Sequence, residues 1–368
     1  MKKVFILLLA CSVLPIRAQY IHTAHRNDDC TKRLLQEAKL FYNEHSYDMA
    51  EELLDQLLSG NPTHMQRHEA DALRTLIIYQ RNPREAATAI EEYLRQYPDA
   101  QDMNHMKALA LLSYYAQGNY TQVICCMQEI DPDMLDEKRR DEIILAYALS
   151  MIEEGKHEEA TVQLNILGLI SDRYDSEVSF YTAYTAYMDK RYKDAEERFT
   201  QTLDIAAYHR QSRYYLAQIM LETKGYAEAE ALAIAYNDEY KQDEYTLEMT
   251  RILGEALYGQ KRYLQAAVVL EEYLAYADEP KREALYQLGI SHFNTGEHLR
   301  APELFAMVSD NDDAIAQSAQ LYAGLSYLTL DDKNKARLCF ERASSMTASP
   351  TLREHAMYNY TVCMHETS

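Results

Sequence analysis

One short pattern returns along almost the whole chain: an aromatic residue or histidine, two variable residues, then alanine. It stands as Tyr47-Asp48-Met49-Ala50, Tyr192-Lys193-Asp194-Ala195, Tyr226-Ala227-Glu228-Ala229 and Tyr263-Leu264-Gln265-Ala266. Histidine takes the ring position in His157-Glu158-Glu159-Ala160 and His298-Leu299-Arg300-Ala301, and weaker copies end at Ala86, Val123 and Ala336. The nine final positions are separated by 36, 37, 37, 35, 34, 37, 35 and 35 residues. A spacing held so closely over most of a chain marks a tandem array, in which each unit buries its apolar side only against its neighbours.

Each unit reads as two helices joined by a tight turn. Ala108 to Tyr115 is apolar at helical spacing, Gly118-Asn119 interrupts it, and Val123, Ile124 and Met127 resume it. Gly118, Gly155, Gly225 and Gly296 fall in that turn, where a residue of positive φ is useful. Gly254, Gly289 and Gly324 recur inside the first helix, where glycine costs about 1 kcal/mol in propensity unless the paired helix needs the space. Pro62, Pro98, Pro280 and Pro350 fall at unit ends, and Pro83 and Pro302 where a second helix begins.

These units resemble tetratricopeptide repeats, a 34-residue helix-turn-helix family. The family's small residue in the first helix is matched by Ala38, Ala148, Ala183, Ala217, Gly254, Gly289 and Gly324, with Arg74 and Leu111 departing from it. Its bulky residue in the second helix is matched by Leu54, Ile90, Met127, Leu164, Phe199, Leu270, Phe305 and Phe340. The family's tryptophan is absent, and its unit-ending proline is met at Pro62 and Pro98. The resemblance implies an all-α, right-handed superhelical solenoid of about nine repeats over residues 31–350. A short lead over 20–30 would precede them, and 351–368 would form the first helix of an unfinished repeat.

The start of the chain reads as an export signal over residues 1–19: Lys2-Lys3, the apolar run Val4 to Ala10, and a cut near Ala18-Gln19. Leu8-Leu9-Ala10-Cys11 resembles a lipobox, which would make Cys11 a lipid anchor; the plainer reading keeps Cys11 as an apolar residue of the signal. The protein is therefore expected to be exported, to the periplasm or the outer-membrane surface. No later stretch is long and apolar enough for a membrane helix. The formal net charge of −21 repels phosphate backbones and sets nucleic acid aside as a partner. The five other cysteines (Cys30, Cys125, Cys126, Cys339 and Cys363) cannot all pair within one chain, and most of them read as small buried apolar residues.

The sequence holds no HExxH, paired CxxC, G-x-S-x-G, phosphate loop or EF-hand pattern, so neither a cofactor nor a metal is expected. His64 and His68 stand four apart without an obvious third ligand, and Asp131-Pro132-Asp133 and Asn311-Asp312-Asp313 read as solvated turns. The resemblance places a partner's protein or peptide segment on the face lined by the first helices. Carried over repeat by repeat, that face offers Phe180, Tyr184 and Tyr187, then Tyr214 and Gln218. It continues with Glu248, Arg251, Glu255 and Tyr258, then Tyr286 and Phe293. Tyrosine supplies contact area at low entropic cost together with a polar tip, although tyrosine at these spacings also fills ordinary packing between repeats. The expected function is a non-catalytic interaction scaffold. A second reading is the docking arm of a larger exported protein, and a third is a helical-solenoid enzyme, for which no acid or nucleophile is defined.

Overall fold

The computed structural model describes residues 30–367, so the expected export signal and Cys11 lie outside the described residues. Among the described residues the regular structure is helical, with no strand. Contacts divide the chain into two units at Asp175/Ser176. The first holds α1 (30–43), α2 (Tyr47–Ser59), α3 (His64–Arg81), α4 (Ala87–Gln96), α5 (Met103–Gln117), α6 (Tyr120–Met127), a 3₁₀ turn (Pro132–Met134), α7 (Glu137–Glu153) and α8 (His157–Ile170). The second comprises α9 (Asp175–Met188), α10 (Tyr192–Thr202), α11 (His209–Glu222), α12 (Tyr226–Glu239), α13 (Thr246–Gly259), α14 (Tyr263–Tyr276), α15 (Arg282–Thr295), α16 (Arg300–Met307), α17 (Ala314–Thr329), α18 (Lys333–Ser345) and α19 (Pro350–Thr367). Within each unit, successive helices pack as hairpins and successive hairpins stack.

The repeated alanine is what lets a hairpin close. All nine final positions of the pattern, from Ala50 to Ala336 and including Val123, are fully buried at 0% exposure. A small side chain there allows close approach of the two helices. The same logic governs the glycines inside first helices. A Cβ on Gly254 would lie 2.5 Å from Leu270, one on Gly289 2.6 Å from the Phe305 ring, and one on Gly324 2.5 Å from the Phe340 ring. Phe305 and Phe340 are themselves fully buried. The propensity lost to glycine is thus exchanged for a leucine or a ring packed on the helix backbone.

A pair of rings clasps many of the turns. One ring sits near the end of the first helix and the other near the start of the second. Tyr42 meets Tyr47 at 5.8 Å, Tyr115 meets Tyr120 at 6.2 Å, and Tyr187 meets Tyr192 at 6.0 Å. Tyr258 and Tyr263 are 5.9 Å apart, and Phe293 and His298 5.4 Å. The aromatic start of the sequence pattern is therefore in part a device of the hairpin itself.

Polar side chains finish the helix ends. Thr63 and Gln66 form a reciprocal capping box at α3, while Asp136, Asp313 and Asp332 accept the first free N–H groups of α7, α17 and α18. Fully buried Gln317 donates to the carbonyls of Ala343 and Met346 and accepts from the Ser349 N–H. It thereby satisfies carbonyls at the end of α18 that the helix leaves unpaired.

Three expectations are corrected. Gly118, Gly155 and Gly296 have positive φ, but Gly225 has φ −76° and the left-handed residue of that turn is Lys224. The cysteines are mostly accessible: Cys30 and Cys125 are exposed, Cys126 and Cys339 half-buried, and only Cys363 buried. Pro350 opens α19 rather than closing the helix before it, using a first-turn position that needs no N–H.

Candidate partner-binding face

In the second unit the first helices α11, α13, α15 and α17 contact one another in series, and α9 joins α11 through ring contacts. One surface thus collects side chains from all five. At one end it is aromatic. Tyr215 on α11 stands 5.4 Å from Tyr184, 5.2 Å from Tyr187 and 5.1 Å from Tyr214, and Tyr214 lies 5.1 Å from Tyr245. Gln218 is buried and donates from Nε2 to the Tyr214 hydroxyl at 3.0 Å.

The middle of the surface is a buried charge network on α13. Arg251 is 3% exposed, with Nε 3.0 Å from Glu248 and Nη1 2.5 Å from Glu255. Glu248 also pairs with Lys281 at 2.8 Å. Burial disfavours charge on Arg251, but Glu255 and Glu248 more than offset it and hold the guanidinium firmly protonated. Burial pushes the Glu255 carboxyl up despite Arg251 beside it. Burial opposes charge on Glu248 as well, yet Lys281 and Arg251 bring its carboxyl below the usual range. Two carboxylates and two cations make this network close to neutral, so it offers an anionic ligand no spare charge.

Beyond it the face turns aromatic again. The Tyr286 hydroxyl is 2.8 Å from Ser318 Oγ, and Phe293 packs edge-on to Tyr322 at 5.1 Å. Burial pushes the phenols of Tyr187 and Tyr258 up to about 12. Both rings are half-buried, and neither hydroxyl makes a hydrogen bond among the described residues.

Beside Glu248, itself half-buried, the other ten residues read from the sequence fall into two groups. Tyr184, Tyr187, Tyr214, Tyr258, Tyr286 and Phe293 are half-buried and present part of a ring on the first-helix side. Phe180, Gln218, Arg251 and Glu255 are buried. Phe180 stacks on Tyr208 at 4.3 Å inside the core, while Gln218, Arg251 and Glu255 orient their neighbours. Sequence reading did not single out Tyr215, Tyr245, Lys281, Ser318 or Tyr322. Tyr215 follows Tyr214 directly, so a count of rings on α11 could have flagged it. Lys281 and Ser318 are joined to the face only by packing between repeats.

In the first unit His64 lies edge-on to Tyr97 at 6.1 Å, and His68 is drawn into a tyrosine network. His68 Nε2 lies 2.7 Å from the Tyr93 hydroxyl, which donates to Asp102 at 2.8 Å, and among the described residues no group of three ligating side chains is assembled. Asp131 and Asp313 are likewise occupied by turn and cap N–H groups.

This geometry defines the class: a helical-hairpin repeat protein with a tyrosine-rich first-helix face. Residues 78–122 and 251–314 match the family model described as tetratricopeptide repeat. The C-terminal part of a TPR repeat-containing protein from Cytophaga hutchinsonii is 11% identical over 67% of this chain and 98% of that one, with a TM-score of 0.52, and shares the fold. A tetratricopeptide repeat protein from Parabacteroides merdae matches at 15% identity over 81% of this chain and 99% of that one, with a TM-score of 0.47. The comparison with curated proteins returns no match.

Proposed function

We propose that the protein is a non-catalytic scaffold that binds a segment of a partner protein on the first-helix face of its second unit. Tetratricopeptide repeats are in general platforms for protein–protein interaction. What favours this face is the pair of half-buried tyrosines, Tyr187 and Tyr258, whose hydroxyls are unused within the fold. Such rings give an extended or helical segment both apolar area and a polar tip, with few rotamers to freeze. The near-neutral network around Arg251 between them supplies a rigid floor.

The partner is expected in the cell envelope, because Lys2-Lys3 and the apolar run Val4 to Ala10 have the pattern of an export signal. Intact-mass analysis of protein recovered from its native cells tests this: a mature chain starting near Gln19, or a lipid-modified Cys11, supports export. An unprocessed chain in the cytosolic fraction contradicts it.

Crosslinking in native cells followed by partner identification, repeated with Tyr184→Ala/Tyr258→Ala, tests the binding face. Loss of the crosslinked partner with helicity unchanged is expected. Full retention of that partner by the folded double variant overturns the assignment.

A further inference from the structure

On the first-helix face of the second unit, a carboxylate at the end of α11 stands with no cation paired to it among the described residues. This is Glu222, which closes the helix and is exposed. It stands seven residues after Tyr215, hence on the same stripe of the helix and about 10 Å further along it. Tyr215 contacts Tyr187 in the last turn of α9, and Tyr187 in turn meets Tyr192 at 6.0 Å with the rings inclined at 52°. Two half-buried rings set at an angle thus open beside the end of α11. Their proximity to Glu222 is also felt electrostatically: after burial, its negative charge contributes to raising both phenols. Neither the Tyr187 nor the Tyr192 hydroxyl is hydrogen-bonded among the described residues.

We propose that Tyr187, Tyr192 and Glu222 form a nook for a cationic side chain, a lysine or arginine, of the bound partner segment. The inference rests on the first-helix face being the binding face and adds to it the chemistry of the ligand. A ring face attracts a cation through its quadrupole, and a carboxylate beside the rings supplies the counter-charge. An anionic ligand fits poorly here. Arg191, next to Tyr192 in the chain, is held by Asp194 and Asp189, Arg251 is held by Glu248 and Glu255, and the chain as a whole carries a net charge of −21. The hairpin clasp recurs in other repeats, but the corresponding position after Tyr258 and Tyr263 is Asn294, and after Phe293 and His298 it is Thr329. Within the second unit the pairing of two tyrosines with a free carboxylate therefore singles out this one hairpin.

Fluorescence anisotropy with a labelled decapeptide of alternating lysine and alanine, against its glutamate–alanine counterpart, tests the nook. The lysine probe should bind the full chain, and the glutamate probe should not. Glu222→Gln should weaken the lysine probe about fivefold, in line with an exposed cation–π pair losing its counter-ion, and Glu222→Lys should abolish its binding. Glu197→Gln, on the exposed side of α10, should leave binding unchanged. An equal loss with Glu197→Gln and Glu222→Gln would mean diffuse attraction to an acidic surface and would overturn the nook. So would a lysine probe that fails to bind, or tight binding of the glutamate probe. If the native partner is lost with Tyr184→Ala/Tyr258→Ala but the lysine probe ignores Glu222→Gln, the binding face stands and the cationic nook falls. If the native partner survives the tyrosine double variant, the face itself falls.

Discussion

The two units solve the same turn with different residues. In the first, the left-handed residue of the hairpin is His45, Gly118 or Gly155. In the second it is Lys190, Lys224, Lys261, Gly296 or Asp331. Every one of these stands five residues before the final position of the sequence pattern. The backbone geometry is thus common to both units, while the residue that supplies it is not. Closing the hairpin is worth more than the roughly 1–2 kcal/mol that a side chain in the left-handed region costs. Only the pair α3–α4 departs: Asn82 and Pro83 lie in its turn, and no residue there has positive φ. That pair also has Arg74, paired to Asp55, where most units have alanine or glycine.

The sharpest contrast lies in buried charge. Arg251 in the second unit is almost fully buried between two carboxylates, whereas Arg139 in the first keeps 16% side-chain exposure beside Glu142. Arg251→Leu should destabilise the protein by about 3–5 kcal/mol, because it strands Glu255 in a poorly solvated site while Glu248 keeps Lys281. Arg139→Leu should cost much less. Urea unfolding of both variants is the check, and equal losses would erase the contrast.

Next in size is the close approach in the second unit. Gly324→Ala puts a methyl group against the Phe340 ring and should cost about 1–3 kcal/mol, as should Ala195→Leu at the buried alanine of another hairpin. Unchanged thermal midpoints would refute the packing assigned to these positions.

The turns should respond in opposite directions. Lys190→Gly, Lys224→Gly and Lys261→Gly relieve left-handed backbone and should each stabilise by up to about 1 kcal/mol, the gain being trimmed by glycine's unfolded-state entropy. Gly118→Ala and Gly155→Ala should destabilise by a similar amount. Parallel shifts in thermal melts would show that the turn residue does not matter.

The smallest effect is electrostatic. Arg282 grips Asp313, and together with the Ala316 N–H it holds this carboxyl well below the usual 3.8. A depressed carboxyl contributes stability that is complete above its unfolded-state value and disappears as pH falls through the lower folded-state value. Asp313→Asn should therefore flatten the acid limb of the stability profile below about pH 4. The exposed half of this pair keeps the change modest. An acid limb identical to that of the parent protein would rule out the contribution.

Much of this architecture was open to reading from the chain. The Ala50-to-Ala336 spacing marked the hairpins, and the glycines at 254, 289 and 324 marked where a second helix comes close. The candidate face was only half open to reading. Repeat position says which residues point to one side of a helix, but it does not say how deeply a neighbour covers them. Phe180 and Tyr184 lie one turn apart on α9, yet Tyr208 covers the first while the second keeps part of its ring outside. Lys281 entered the network around Glu248 from the start of the next repeat, a relation with no signature in the local pattern.

Periodicity, small residues and ring positions by themselves determined that this chain forms stacked helix pairs, because an apolar stripe of one pair can be hidden only by the next. Tertiary structure alone decided how deeply Arg251 is buried, that Lys281 joins its network through Glu248, and that Glu222 is left without a cation. Those outcomes depend on distances between side chains of different helices, which repeat spacing does not encode.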